Sequence, residues 1–488
     1  MPAASSVTVA PVRRRIGDLR GWDGAGIVGF AALALLVVVL VVSGTRSVDV
    51  DNGDSNSLVA GARVGVECVA DGVWRDCGGT GVGSHVGSFA LLQYLPAAAL
   101  VAFGMDDADV VRALAWLSTA AFVVLLWMFA APARRLLSPP WSTVLLIVAV
   151  SGPLLLYALI PYAEMLGATL GVAFLLACRQ RSLRLIAVLG PFTMMGKETA
   201  VPFLVVTAWV CARGSDDRWL PPRRIVVAIA ATAVAAVAAQ ALFNQFRFAT
   251  FTNEANNVPW SRVPGVDLRA RLAWALWGAP NVGIAWFWPA VAFVLAGLAV
   301  AWIVQLRRQP MTRRSPGWLP SATVLGLALA MTVGLASWYS TFGWLAWGPR
   351  LSLQLLPVLA VAAIVAGGEE LTAGLHWLVR TPVALAAATV VIAALAVPQA
   401  GVIWNQDAIL LPTVPTPECP ELLPVEVAEP DYFYGCGLAS AWSDDPYFLV
   451  EASGGSNAAK AIAQLSVVIA IGALGLRLRR QVLSGSSR

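Results

Sequence analysis

Long apolar runs separated by short polar segments dominate the pattern of this chain. The runs cover residues 24–44, 108–131, 141–159, 161–178, 225–243, 282–305, 319–339, 351–367, 382–400 and 461–476. About 20 apolar residues cross the hydrocarbon core of a bilayer, and most of these runs approach or exceed that length. The pattern therefore predicts an all-α polytopic membrane protein whose transmembrane domain occupies residues 24–476.

One further apolar run, residues 185–212, carries charges at its centre. The stretch FTMMGKETAVPF places Lys197 and Glu198 in the middle of the run, which Arg184 precedes and Arg213 follows. Because positive residues favour the cytoplasmic side, both flanks are predicted to face inside, so the run must turn around. We expect two short helices with Lys197 and Glu198 near the tip, which brings the predicted total to about twelve spans.

The basic residues between the runs predict the orientation of the chain. Four arginines precede the first run, and arginine clusters follow several later runs, including the last one. By the positive-inside rule, the tails at residues 1–23 and 477–488 are predicted to be cytoplasmic. The segments predicted outside are residues 45–107, 244–281 and 401–459. An apolar stretch in the first of these, FALLQYLPAAALVAFG, is expected to lie at the membrane interface.

Composition and charge agree with a membrane protein. Hydrophobic residues make up 58% of the 488 positions, and charged residues make up 12%, about half of the share in an average soluble domain. The net charge of +5 comes from the arginine clusters between the runs, so it indicates orientation and not binding to nucleic acid. His85 and His376 are the only histidines and lie far apart, which argues against a histidine metal site.

The six cysteines divide between the two predicted sides of the membrane. Four of them lie in segments predicted to be outside: Cys68, Cys77, Cys419 and Cys436. The other two end apolar runs on the predicted inner side. Because disulfides persist in oxidising compartments, we expect the local pairs Cys68–Cys77 and Cys419–Cys436, with four free thiols as the alternative.

An acidic segment, VDVDNGDSNSLVAGARVG, follows the first apolar run directly and brings Asp49, Asp51 and Asp54 within six positions. Carboxylates at a membrane surface can act as a general base, bind a cation or simply be solvated. The spacing is not that of an EF-hand loop, because no glutamate closes it. The three readings stay open on this segment alone.

Two more polar places interrupt apolar runs. Glu164 begins a run after the Pro–Tyr turn that contains Tyr162, where the helix dipole favours a carboxylate and a ligand contact is equally compatible. Lys197 and Glu198 are adjacent, and adjacent residues do not face each other on a helix. Each side chain is therefore expected to find another partner or a watery cavity, unless the hairpin tip simply touches water.

The fourth place is WYSTFGWLAWGPRLSLQLLP, where Arg350 stands close to Trp347 at the start of an apolar run. Aromatic residues at that depth are typical of the interfacial belt. An arginine on the predicted outer side is not explained by the orientation rule. Its planar fork of donors suits a phosphate group.

The order of these polar segments resembles that of polytopic glycosyltransferases of the GT-C type. The shared layout is an acidic segment after the first span, a PY-E span start, a hairpin with lysine and threonine at its tip, and a late WGPR…LLP segment. The resemblance is to a bacterial branch, with actinobacterial members, that uses lipid-phosphate sugar donors. That branch is related to protein mannosyltransferases and arabinofuranosyltransferases.

Individual motifs carry this resemblance over residues 24–400. NGDSNSLVAGARV is similar to the G-D…Y…A-R stretch of the family, although Leu58 stands where an aromatic residue is common. GKETA looks like its T-K-x-T-A hairpin. NQFRFATFTNEAN, which contains Arg247, and WGAPNVGIAWFWP resemble two further segments of actinobacterial members.

The resemblance implies a GT-C-like bundle that moves a sugar from a polyprenyl-phosphate donor to an envelope glycan, lipid or protein acceptor at the outer face of a bacterial plasma membrane. In such a transfer a carboxylate takes the proton of the acceptor hydroxyl, and a cation stabilises the leaving phosphate. Asp54, with Asp51 and Asp49 behind it, is expected to be the base. Arg350 and Lys197 are expected to bind the donor phosphate.

Further residues are expected to contact the substrates: Glu164, Glu198, Tyr162, Arg247 and Trp347. No residue is assigned to a metal, and whether a divalent cation assists at the donor phosphate stays open. A lipid or sugar transporter or flippase is the alternative, although transporters more often show related halves and broken helices at mid-membrane. A GT-C-like envelope assembly protein without activity is a third interpretation.

Overall fold

The computed structural model describes residues 53–77, 90–136, 157–158, 163–197, 200–213, 220–252, 265–279, 282–308, 318–337, 350–378 and 469. The helices are α1 Gly53–Ala70, α2 Leu91–Ala102, α3 Asp107–Leu136, α4 Ala163–Arg179, α5 Leu183–Met194, α6 Val201–Arg213, α7 Arg223–Phe248, α8 Val266–Gly278, α9 Ile284–Phe287, α10 Pro289–Arg308, α11 Leu319–Ala336 and α12 Leu355–Leu378. These residues contain no strand. The all-α prediction is therefore confirmed for this part of the chain.

Among these helices, three are long and apolar enough to cross a membrane by length and composition: Asp107–Met128 within α3, Arg223–Phe248 and Leu319–Ala336. Shorter apolar helices accompany them, including parts of α10 and α12. These features support a membrane protein. The runs predicted at residues 24–44, 141–159, 382–400 and 461–476 lie almost wholly outside the described residues, so the number of spans stays a prediction.

The run that was predicted to turn around consists of two short helices, α5 and α6, with Lys197 between them. At the opposite end of this hairpin, Arg181 joins the turn before α5 to the end of α6. Its Nε donates to the carbonyl of Ala212 at 3.3 Å, and its Nη2 donates to the carbonyl of Arg213 at 3.2 Å. The end of α6 therefore lies against the turn that precedes α5.

Helices α4 and α12 run side by side in the same direction at the centre of the bundle. A side-chain carbon added at Gly167 would lie 2.8 Å from Cδ of Gln354, and one added at Gly171 would lie 2.6 Å from Cγ2 of Val358. The step of four residues is the same on both helices, which shows that they are parallel. A side chain at Gly171 would overlap Val358 of α12, and one at Gly167 would displace the side chain of Gln354 just before α12.

Besides the main hydrophobic core of the bundle, a smaller apolar cluster joins the first three helices to the end of α7. Its buried members are Leu58, Val59, Ala62, Tyr94, Ala97, Val101, Val110, Val111, Leu114 and Phe243. Tyr94 packs on Phe243 with ring centroids 4.8 Å apart. A side-chain carbon at Gly65 would lie 1.5 Å from the Tyr94 hydroxyl, so this glycine lets α1 and α2 approach closely.

Residues 45–107, which were predicted to lie outside, contain α1 and α2. Helix α2 lies within the apolar stretch FALLQYLPAAALVAFG, which was expected to lie at the membrane interface. Helix α1 forms because Leu58, Val59 and Ala62 recur at helical spacing and bury one face against α2 and α3. Helix α2 has 12 residues, or about 18 Å at the usual rise, which is too short to cross a bilayer.

Two further boundaries differ from the sequence prediction. Within residues 244–281, which were predicted to lie outside, α7 continues to Phe248 and α8 occupies Val266–Gly278. The run predicted as one span at residues 282–305 is divided into α9 and α10. The division falls at Pro289, which begins α10 because proline lacks the amide hydrogen that the preceding turn would need.

Candidate functional site

Three of the segments singled out from sequence meet around the side chain of Gln354. A side-chain carbon added at Gly167 of α4 would lie 2.9 Å from Gln354 Nε2, and one added at Gly196 would lie 2.7 Å from the same atom. Gly196 belongs to the turn between α5 and α6. The amide of Gln354 therefore lies between α4 and the hairpin turn, and we call Gln354, Gly167 and Gly196 the Gln354 junction.

Two ionisable residues stand next to this junction. Glu164 precedes Gly167 by three positions, which places both on the same face of α4, and the glutamate is only 3% exposed. It lies in the first turn of α4, where the helix dipole favours a carboxylate. Lys197 follows Gly196 directly and is half-buried. The structure thus brings the helix start of Glu164 and the turn of Lys197 to the same amide group.

The backbone of Arg350 leads into the Gln354 junction along the chain. It begins a short 3₁₀ turn, Arg350–Ser352, four residues before Gln354. At about 2 Å per residue, the backbone of Arg350 lies on the order of 8–10 Å from that of Gln354. Ser352 and Leu353 are fully buried, so the turn is packed into the protein. The side chain of Arg350 lies outside the described part of the chain.

Arg247 forms a separate buried cluster in the last turn of α7. Its guanidinium is fully buried and donates to Oδ1 of Asn244, at 3.2 Å from Nε and 2.7 Å from Nη2. The same group lies 4.6 Å from the ring centroid of Phe243 and 4.5 Å from that of Phe248. Aromatic faces attract a guanidinium, so these contacts help to stabilise the buried charge of Arg247.

The start of α2 connects the Arg247 cluster to the hairpin turn. The amide of Leu91 donates to Oε1 of Gln240 at 3.3 Å, and the amide of Leu92 donates to the carbonyl of Met195 at 3.3 Å. Gln240 in turn donates from Nε2 to Oδ1 of Asn244 at 3.3 Å. Met195 is two residues before Lys197, so α2 bridges the two polar regions.

The predicted disulfide between Cys68 and Cys77 is present, with Cα atoms 5.8 Å apart. The amide of Cys77 donates to the carbonyl of Phe246 at 2.9 Å, which ties the segment after α1 to the last turn of α7. The disulfide therefore supports the end of the helix that carries the buried arginine. The second predicted pair, Cys419 and Cys436, lies outside the described residues.

Asp54, the expected general base, stands in the first turn of α1 and not in a loop. Its side chain is not among those described, and Asp49 and Asp51 precede the described residues. The base role of Asp54 therefore stays a prediction. Further along the same helix, Arg63 donates to the carboxylate of Asp107, and this hydrogen bond and charge raise the pKa of the exposed arginine.

Other predicted site residues, Glu198, Tyr162 and Trp347, lie outside the part that the structure describes. Within that part, no group of three or more histidine, cysteine, aspartate or glutamate residues could hold a metal ion. Sequence reasoning missed Gln354 and Asn244 because neutral amides carry no charge signal. For Gln354 a signal was present, since it is an amide inside the stretch LSLQLLP, whose other residues are apolar except for Ser352.

The fold and this site define the class of the protein as far as the described residues reach. It is an all-helical protein with helices able to span a membrane and with a buried polar junction where α4, the hairpin turn and the start of α12 meet. No protein-family model matches the chain, and no curated protein matches it. The assignment of function therefore depends on the chemistry of the junction and on the motifs of the sequence.

Proposed function

We propose that this chain is a membrane glycosyltransferase with a GT-C-like bundle of about twelve transmembrane helices. It would move a sugar from a polyprenyl-phosphate donor to an envelope glycan, lipid or protein acceptor on the outer face of a bacterial plasma membrane. The observation that carries the proposal is the Gln354 junction. Segments far apart in sequence, each of which resembles a GT-C motif, meet there around one buried amide.

Charge at the junction suits an anionic lipid head group. Lys197 is half-buried beside Gly196, and the backbone of Arg350 begins the turn that leads to Gln354. A cation in partly buried surroundings interacts more strongly with an anion than it does in water. Near the membrane surface, such cations would hold a phosphate while the lipid tail stays among apolar helices.

The proposed reaction uses this charge at the leaving group. The acceptor oxygen forms a bond to the anomeric carbon, while the bond from that carbon to the phosphate oxygen breaks and its electron pair stays with the phosphate. Arg350 and Lys197 stabilise the growing negative charge. Asp54 takes the proton of the acceptor hydroxyl, with Asp51 and Asp49 as the other candidate bases. The products are the glycosylated acceptor and polyprenyl phosphate.

The direct test is a panel of polyprenyl-phosphate sugars offered to the purified protein in lipid nanodiscs. We expect one donor to lose its sugar to an added acceptor or to water, with polyprenyl phosphate as the second product. The same donors in sealed vesicles test the alternative function. Movement of the intact lipid-linked sugar across the vesicle membrane, with no cleavage of any donor, would contradict the proposal and favour a flippase.

A further inference from the structure

The side-chain amide of Gln354 is buried, and its N–H donor has no hydrogen-bond partner among the described residues. The residue is 1% exposed, and the donor atom without a partner among those residues is Nε2. A buried donor without a partner lowers stability, because it has lost its water and gained nothing in return. Methionine has a similar size and would fill the site without this cost. Unfavourable features of this kind often mark functional sites.

Two glycines lie against this donor, and an ionisable residue lies near each glycine in sequence. Side-chain carbons at Gly167 and Gly196 would come within 3 Å of Nε2, at 2.9 Å and 2.7 Å. The amide thus fits only because both positions lack a side chain. Lys197 follows one of these glycines, and Glu164 lies one turn before the other. The unsatisfied N–H group therefore stands beside the turn that carries Lys197, the residue that the proposed function assigns to the donor phosphate.

We propose that Gln354 is a further substrate-binding residue, whose Nε2 donates a hydrogen bond to a phosphate oxygen of the lipid donor. This inference rests on the proposed function. A neutral N–H donor beside the turn of Lys197 favours an anionic acceptor, because hydrogen bonds to charged oxygens are stronger than those to neutral ones. Bound phosphate would supply the partner that Nε2 lacks, and a lipid alcohol without phosphate would supply no anion.

The test compares wild type with Gln354→Met in nanodiscs, using a short-chain polyprenyl monophosphate as the probe. We expect the dissociation constant to rise tenfold or more, while the melting temperature stays the same or increases because the unsatisfied donor is gone. Binding of the corresponding polyprenol, which has no phosphate, should not change. A lower melting temperature with unchanged binding of the monophosphate would overturn the proposal and make Gln354 a structural residue.

Gln305 provides a matched control. It lies in the last turn of α10, is 7% exposed, and its Oε1 also lacks a partner among the described residues. Gln305→Met should leave binding of the monophosphate unchanged. Equal weakening by Gln305→Met and Gln354→Met would show a general effect of removing a buried amide, and it would contradict a specific contact.

Gly196→Ala is a second variant that does not alter Gln354 itself. The added methyl group would lie 2.7 Å from Nε2 and displace the amide, so it should weaken binding of the monophosphate as Gln354→Met does. Combined with Gln354→Met, it should add little further loss. Full additivity would contradict the inference. If wild type transfers sugar and neither variant weakens binding, this inference alone falls; if wild type binds no polyprenyl phosphate, the proposed function falls with it.

Discussion

Arginine and lysine at position 350 differ in what they can hold. The guanidinium fork binds two phosphate oxygens, whereas the lysine ammonium acts as a point charge. We therefore expect Arg350→Lys to lower the rate of sugar transfer about 30-fold or more, which corresponds to about 2 kcal/mol of lost transition-state stabilisation. The melting temperature should not change. Initial rates at saturating donor and thermal unfolding of the purified variant provide the two readings.

A structural role for Arg350 makes the opposite prediction. If the side chain only pairs with a carboxylate such as Glu164, Arg350→Lys lowers the melting temperature and leaves the rate unchanged. Arg63→Lys is a suitable control, because Arg63 forms an exposed ion pair with Asp107 at a distance in sequence from the junction. Exposed pairs contribute little, so neither the rate nor the melting temperature of this control should change.

The general base is tested by replacing carboxylates with amides of the same size. Asp54→Asn should lower the rate of transfer about 100- to 10,000-fold and leave thermal stability unchanged, because it removes basicity and preserves shape. Asp71→Asn, at an exposed position just after α1, is the control and should be active. An inactive Asp51→Asn variant together with an active Asp54→Asn variant would assign the general base to Asp51. Activity in the Asn variants of Asp49, Asp51 and Asp54 would remove the base hypothesis.

At the scale of helices, the sequence predicted those features that depend only on a short stretch of chain. The hairpin of α5 and α6 could be predicted because its basic flanks and its charged centre lie within thirty residues of sequence. Helix α1 was missed because its polar residues resemble a loop, although Leu58, Val59 and Ala62 bury one face. The contact of Gln354 with Gly167 and Gly196 could not be predicted, because it joins segments far apart in the chain.

The disulfide makes a prediction at the same scale, because it supports the end of α7. Removing the bond in a Cys68→Ser, Cys77→Ser double variant should lower the free energy of unfolding by about 2–3 kcal/mol, the loop entropy expected for a sequence separation of nine. Thermal unfolding of this variant and of wild type, with and without reductant, measures the loss. Wild type treated with reductant should be as stable as the variant treated with reductant.

The second predicted pair is tested by the same samples. A further drop when the double variant is reduced would indicate the pair Cys419–Cys436, and mass spectrometry without reductant would identify it directly. Free thiols at all four positions would contradict both pairs. A double variant as stable as wild type would show that the Cys68–Cys77 disulfide does not stabilise the protein through the end of α7.

For the whole molecule, the central expectation is that the Lys197 turn, the end of α7 and the start of α12 face the outside of the cell. The distribution of arginines predicts this orientation. A membrane-impermeant thiol reagent applied to intact cells should label Asn56→Cys and leave Ser5→Cys unlabelled. Permeabilised cells, in which both positions should react, provide the control. Labelling of Ser5→Cys but not of Asn56→Cys would reverse the orientation and move the proposed site to the cytoplasm.

The central claim is that the Lys197 turn holds the phosphate of a lipid-linked sugar while the bond to that sugar breaks. The most direct measurement follows cleavage of a radiolabelled polyprenyl-phosphate sugar by wild type and by Lys197→Gln in nanodiscs. We expect wild type to release or transfer the sugar and Lys197→Gln to do so at least about 30-fold more slowly, with its melting temperature unchanged. Recovery of intact donor from wild type that demonstrably binds it would contradict the proposed reaction.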